Sequence, residues 1–287
     1  MLCLNLCEIF SPRFFRSIDP DVFIDYISRS KGASVQRVYL GSSFCSQYFL
    51  LSRFEPLLEL CARKRIPVTL TVPVFSEKDL DQGKQKIDRI CRAASGIIDE
   101  ITVNDIGMLS FVHGLQQFRV NLGRLFFKDA RDCRVPDHGA RSVQPMLLSH
   151  LMDSYWSRYD IHTVELDATN RIVDTAALAD TDIQVGLHLP YCYMTTGNIC
   201  KFASTHLPVD KKFRPNVRCG MECTHIHDIY SGYVPQTECS PVLHRVGRTL
   251  YFEADHTAVT GKPTSRVIYF PINELRKFAD ENIGSVK

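Results

Sequence analysis

The sequence predicts a parallel α/β fold of the (β/α)-barrel type, and three observations carry that expectation. Short β-branched runs recur at VQRVYLG (35–41), IPVTLTVPV (66–74), EITVND (100–105), FRVNLG (118–123), HTVELD (162–167) and IQVGLHL (183–189). Near-continuous apolar strands of this kind mark a parallel sheet buried on both faces. Helical patterns fill the gaps between them, and this alternation favours parallel α/β architecture. No G-x-G-x-x-G follows the first of these strands, which counts against an open dinucleotide-binding sheet.

In chain order, DPDVFIDYISRS opens with an Asp cap and a first-turn Pro, as a helix start should. FEPLLELCARKR ends in cations, which suit a helix C-terminus. SEKDLDQGKQKIDRICRAA begins with a Ser cap and spaces its apolar residues for one helix face. After residue 190 the rhythm stops. The chain is therefore expected to form a barrel domain over 1–190, as a complete or an incomplete barrel. A cysteine-rich tail over 191–287 follows, strand-like at RTLYFEAD and RVIYFPI and packed on the barrel mouth.

At 287 residues and 45% hydrophobic, the chain can bury a full core, and its charges nearly cancel at +2. Such a balance makes a nucleic-acid partner unattractive, because phosphate contacts need clustered cations. The start MLCLNLCEIF has no basic region ahead of a long apolar run, and no stretch of about 18 apolar residues occurs. No export signal and no membrane span are expected, and the cytoplasm is the expected location. There the eleven cysteines would stay mostly reduced.

Cysteine placement is the strongest chemical signal. Cys192, Cys200, Cys219 and Cys223 follow a C-x7-C-x18-C-x3-C pattern, and Cys45 closes the run VQRVYLGSSFC. Clustered thiolates are soft ligands that select zinc, copper(I) or an iron–sulfur cluster. A structural zinc normally shows two short knuckles, and only Cys219/Cys223 is short enough here. His225, His227 or Cys239 could complete a zinc site with that pair, so zinc stays an alternative. Cys3, Cys7, Cys61, Cys91 and Cys133 are scattered and read as small core hydrophobes.

Polar residues also fall where barrel strands end, the usual place for function in this fold. Asn104 and Asp105 follow EITV, Gly123 and Arg124 follow FRVNL, Glu165 and Asp167 lie in VELD, and His188 lies in GLHLP. Asn104, Asp105, Arg124, Glu165 and His188 are the catalytic candidates. Arg124 offers a planar fork for an anionic donor's carboxylate, with Arg131 and Arg134 as possible helpers. Asp105, Glu165 and His188 are acid–base candidates.

The run His188-Leu-Pro-Tyr-Cys192, then Thr196-Gly197, then Cys200 resembles the signature of the collagenase-like "unassigned peptidase" family 32. The downstream Cys219-Gly-Met-Glu-Cys223 resembles that family's next cysteine pair. This chain has one extra residue between the first two cysteines, and Gln184 stands where an acidic residue is usual. VYLGSSFCS, VNDIGML and NLGRLF look like the shorter, paired members of the Ubi-U and Ubi-V type, which act in oxygen-independent ubiquinone hydroxylation. The resemblance runs through separated motifs over roughly 35–225.

The resemblance implies a barrel-like fold holding a 4Fe–4S cluster. It also implies hydroxylation of a small aromatic or quinone-like substrate without O2, with prephenate as oxygen donor and a paralogous partner subunit. By resemblance to the shorter members the ligands would be Cys45, Cys200, Cys219 and Cys223. By resemblance to longer, RNA-hydroxylating members, both Cys192 and Cys200 would be included. Two other readings stand beside it. One is a non-catalytic iron–sulfur or zinc-binding subunit. The other is a peptidase using Cys192 and His188, against which the chain has no H-E-x-x-H and no G-x-S-x-G.

Overall fold

The structure, a computed structural model, describes residues 1–9, 18–127, 157–169, 172–215, 217–224, 228–230, 242–254 and 258–283. Eight parallel strands close into a barrel. They are β1 (Leu2–Asn5), β2 (Arg37–Gly41), β3 (Val68–Val72), β4 (Ile98–Val103), β5 (Arg119–Leu122), β6 (Ile161–Asp167), β8 (Gln184–Leu189) and β14 (Arg266–Tyr269). Around the barrel the order is β1-β14-β8-β6-β5-β4-β3-β2. All six runs read as strands from the sequence are barrel strands. The short β7 (Val173–Asp174) and β13 (Val259–Thr260) pair with each other outside it.

The helices are α1 (Pro20–Lys31), α2 (Ser46–Leu51), α3 (Glu55–Lys64), α4 (Glu77–Ala93), α5 (Ile106–Gly114) and α6 (Ile272–Ile283). Their ends follow local chemistry. Asp19 accepts from the Asp21 amide at 2.8 Å to start α1, and Gly32 ends it in the left-handed region at φ 62°. Asp105 starts α5 by accepting from the Met108 amide at 2.8 Å.

Two features correct the expected organisation. The barrel is closed, and it is not finished by residue 190. Its last strand is β14, which hydrogen-bonds to β1 and β8 and so draws the end of the chain into the wall. What lies between β8 and β14 is an insertion. Its strands β9 (Tyr191–Thr196), β10 (Asp228–Tyr230), β11 (Leu243–Val246) and β12 (Thr249–Glu253) form an antiparallel sheet in the order β10-β11-β12-β9.

The apolar core lies between the barrel and its helices. Alternate strand residues such as Val38, Leu40, Leu70, Ile101, Val103, Val164 and Val185 are buried there. The barrel interior differs from the usual layers of branched apolar side chains. Hydrogen bonds cross it between strands that are not neighbours. Thr102 on β4 donates to Glu165 on β6 at 2.6 Å, and Arg266 on β14 donates to Glu100 on β4 at 2.6 Å. Arg266 also donates to the Tyr39 hydroxyl on β2 at 3.3 Å. A buried polar network of this kind fixes one arrangement when its members are satisfied.

Candidate metal centre

A cavity of about 530 Å³ opens at the end of the barrel where β1, β2 and β3 finish. Glu8 after β1, Cys45–Tyr48 after β2 and Val74–Asp79 after β3 form its inner wall. The outer wall comes from the insertion: Asn198, Cys200 and Ala203, then Arg214, Arg218, Cys219, Met221 and Cys223, then the β11–β12 turn at 246–249. Four thiols line it, those of Cys45, Cys200, Cys219 and Cys223. Cys45 comes from the loop after β2, and Cys200 with the Cys219/Cys223 pair from the insertion, whose fold over the mouth brings them together.

Local backbone geometry sets two of these sulfurs. Cys45 is the N-cap of α2, and its Sγ accepts from the Tyr48 amide at 3.4 Å. The Cys219 Sγ accepts from the Met221 amide at 3.4 Å. N–H donors aimed at sulfur favour the thiolate and tune whatever the thiolate binds. All four side chains are partly exposed. Burial pushes the Cys45 thiol up to about 11, against the pull of Arg248. Burial also raises Cys223, and ionisation of Cys45, Cys219 and Cys200 would raise it further. The thiols therefore feel one another across the cavity, and a cation among them would reverse that repulsion.

Two charged residues missed in the sequence brace Cys45. Glu8, held in the left-handed region at φ 64°, accepts from Ser42 Oγ at 2.6 Å and the Phe44 amide at 2.8 Å. Tyr251 adds a hydroxyl at 3.3 Å. Arg248 donates from Nε to the Phe44 carbonyl at 2.8 Å, and its Nη2 donates to the same oxygen. No motif marks either residue; the only clue is a carboxylate just past the first barrel strand.

The five catalytic candidates occupy other places, and none lines this cavity. Arg124 is buried and spends its guanidinium on Asp167 and on the Tyr191 carbonyl, the latter at 2.9 Å. The rings of Phe44, Tyr193 and Tyr251 surround it at 5.4–5.7 Å. That corrects the expectation of an open anion fork: its donors face protein. Asn104 ties the strand ends together, donating to the Val72 carbonyl at 3.0 Å and accepting from the Leu125 amide at 3.3 Å. Asp105 is the helix cap described above, raised by burial.

Glu165 and His188 lie inside the barrel, with His188 Nε2 3.1 Å from Glu165 Oε2. Burial pushes the Glu165 carboxyl up to about 7. This is the one close pair among the acid–base candidates, and it sits in the interior network with Thr102 and Tyr39 rather than on the cavity wall. Glu100, below it, behaves oppositely. Burial opposes its charge, but Arg266 and Arg37 hold it down to about 2.

Cys192 stands apart from the other four thiols. It is fully buried on β9, packed with Leu243 and Phe252. Its Sγ lies 3.6 Å from the Tyr193 carbonyl, while Nε2 of His188, the base of the peptidase reading, faces Glu165. Cys3 and Cys7 pack with Tyr39 and Ile268, and Cys61 and Cys91 join the main core. His225, His227, Cys239, Cys133, Arg131 and Arg134 lie outside the described residues.

Four soft donors around one cavity fit an iron–sulfur cluster or zinc by their chemistry. Among the described residues, no group of three or more His, Cys, Asp or Glu is arranged to hold a metal ion as it stands. Among the same residues no helix is long and apolar enough to cross a membrane. Comparison with known proteins gives no significant match to a family model, a curated protein or a solved structure.

Proposed function

We propose that this protein holds a 4Fe–4S cluster through Cys45, Cys200, Cys219 and Cys223. We further propose that it acts in oxygen-independent hydroxylation of a small aromatic or quinone-like substrate. The observation that carries the cluster is the shared cavity: four thiols from the barrel loop and the insertion line it, and Cys192 does not. The set coincides with the one that the resemblance to the shorter family members implies. When bound, such a cluster supplies one-electron chemistry, or Lewis acidity if an iron is left open.

The chain's own residues would do the rest. Glu8 and Arg248 hold the Cys45 loop in place. Arg214 and Arg218 on the wall suit a carboxylate-bearing oxygen donor such as prephenate, since guanidinium pairs carboxylates in a planar fork. Anaerobic purification with iron and sulfide analysis tests the cluster. About four of each per chain and absorbance at about 400 nm are expected; a chain carrying only zinc contradicts it.

A second reading has its own support. None of the five polar candidates reaches the cavity, which suits a non-catalytic iron–sulfur or zinc-binding subunit that serves a partner. Turnover by the isolated, cluster-loaded chain decides between the two.

A further inference from the structure

The outer wall of the thiol cavity is also an exposed surface of unusual composition. Between Gly197 and Arg218 the chain carries five cations, Lys201, Lys211, Lys212, Arg214 and Arg218, against the single carboxylate of Asp210. The whole protein has a net charge of only +2, so positive charge is concentrated here. Large apolar side chains are interleaved with it: Val209 is 86% exposed, Phe213 56% and Ile199 47%.

This segment is anchored. Phe202, Ala203 and Ser204 are buried beneath it. Ser204 Oγ donates to the Cys200 carbonyl at 3.2 Å and accepts from the Phe213 amide at 3.3 Å. Arg214 donates to the Asp210 carbonyl at 2.7 Å. The same stretch supplies Cys200, Arg214 and Arg218 to the cavity, while Lys201, Lys211 and Lys212 do not line it and carry the charge of the outer side.

We infer that Gly197–Arg218 is the docking face for a small acidic one-electron carrier protein, an inference that rests on the cluster reading above. Charge complementarity selects the partner: cations interleaved with a few exposed apolar side chains suit a transient interface with an acidic protein. The carrier's prosthetic group would meet the segment that bears Cys200. One electron leaves the reduced carrier, which is oxidised, and the 2+ cluster is reduced to 1+; no bond or proton moves. A nucleic acid is less well matched, because phosphate binding does not call for three exposed aliphatic or aromatic side chains among the cations.

The test uses the full chain, loaded anaerobically, with a plant-type [2Fe–2S] ferredoxin as probe. Interferometry reads binding of the oxidised ferredoxin, and stopped flow reads cluster reduction by the reduced form. Binding should weaken as salt rises, and K211E/K212E should weaken it at least about tenfold with iron content unchanged. F213S should weaken binding without changing the salt slope. Equal binding by the charge-reversed variant overturns the docking face. So does salt-sensitive capture by RNA or anionic vesicles that ferredoxin cannot displace, or occupation of the face by a second copy of the chain. A chain that never assembles a cluster yet binds ferredoxin normally overturns the cluster reading and leaves the docking face standing.

Discussion

Arg124 donates from Nε to Oδ1 of Asp167 at 2.7 Å, and neither side chain is more than 1% exposed. The pair joins the loop after β5 to the end of β6 and, through the Tyr191 carbonyl, to the start of β9. Its role is therefore to seat the insertion on the barrel. R124M leaves the Asp167 charge buried and should cost about 3–5 kcal/mol in chemical denaturation. R124M/D167L removes both charges and should recover most of that. An R124M protein as stable as the wild type would show that the pair carries no structural load.

Glu165 and Glu100 should give the stability profile two limbs of opposite sign. The folded-state value of Glu100 is depressed to about 2, so its stabilisation is present above the unfolded value of 4.5 and is lost as pH falls towards 2. Glu165 is raised to about 7, so the folded state holds its proton more tightly than the unfolded chain, and stability declines as pH rises from 4.5 to 7. E165Q should flatten the decline on the neutral side, and E100Q should abolish the gain on the acid side. Urea melts at pH 3, 5 and 8 check both; an E165Q profile parallel to wild type contradicts the first.

Gly41 ends β2 at φ 119°, and a Cβ there would stand 2.1 Å from the Thr71 carbonyl oxygen. No rotamer relieves a clash with backbone. G41A should cost roughly 2–4 kcal/mol and loosen the Ser42–Cys45 loop. A lowered melting temperature together with reduced iron retention is the expected result.

Arg248 lies beside the cavity with its guanidinium on the Phe44 carbonyl, and its charge favours ionisation of Cys45 and Cys219. Removing a positive charge near a cluster disfavours its reduced form. R248A should shift the midpoint potential to more negative values, while R248K should retain most of the wild-type potential. Spectroelectrochemical titration reads this; identical potentials would remove Arg248 from the account.

Much of the barrel was legible because β-branched runs such as VQRVYLG and HTVELD mark strands buried on both faces. β1 was missed because Leu-Cys-Leu-Asn carries no β-branched residue. RVIYFPI reads as a strand, but its place in the wall is a long-range pairing that no local pattern encodes. The interior network was hidden for a related reason. Arg37, Glu100 and Arg266 look like polar strand ends, and only barrel closure turns them towards one another. Spacing marked the cysteines as a group but could not separate Cys192, whose neighbours Leu243 and Phe252 arrive from later strands. Glu8 and Arg248 act through the backbone around Cys45, which leaves no trace in composition.

The most direct measurement is iron and sulfide content of anaerobically prepared wild type beside single Cys→Ser variants at positions 45, 192, 200, 219 and 223. Severe loss of the cluster or of its spectrum is expected in C45S, C200S, C219S and C223S, with C192S close to wild type. A C192S protein that loses its cluster while C45S keeps it would contradict the four-thiol cavity as the metal centre.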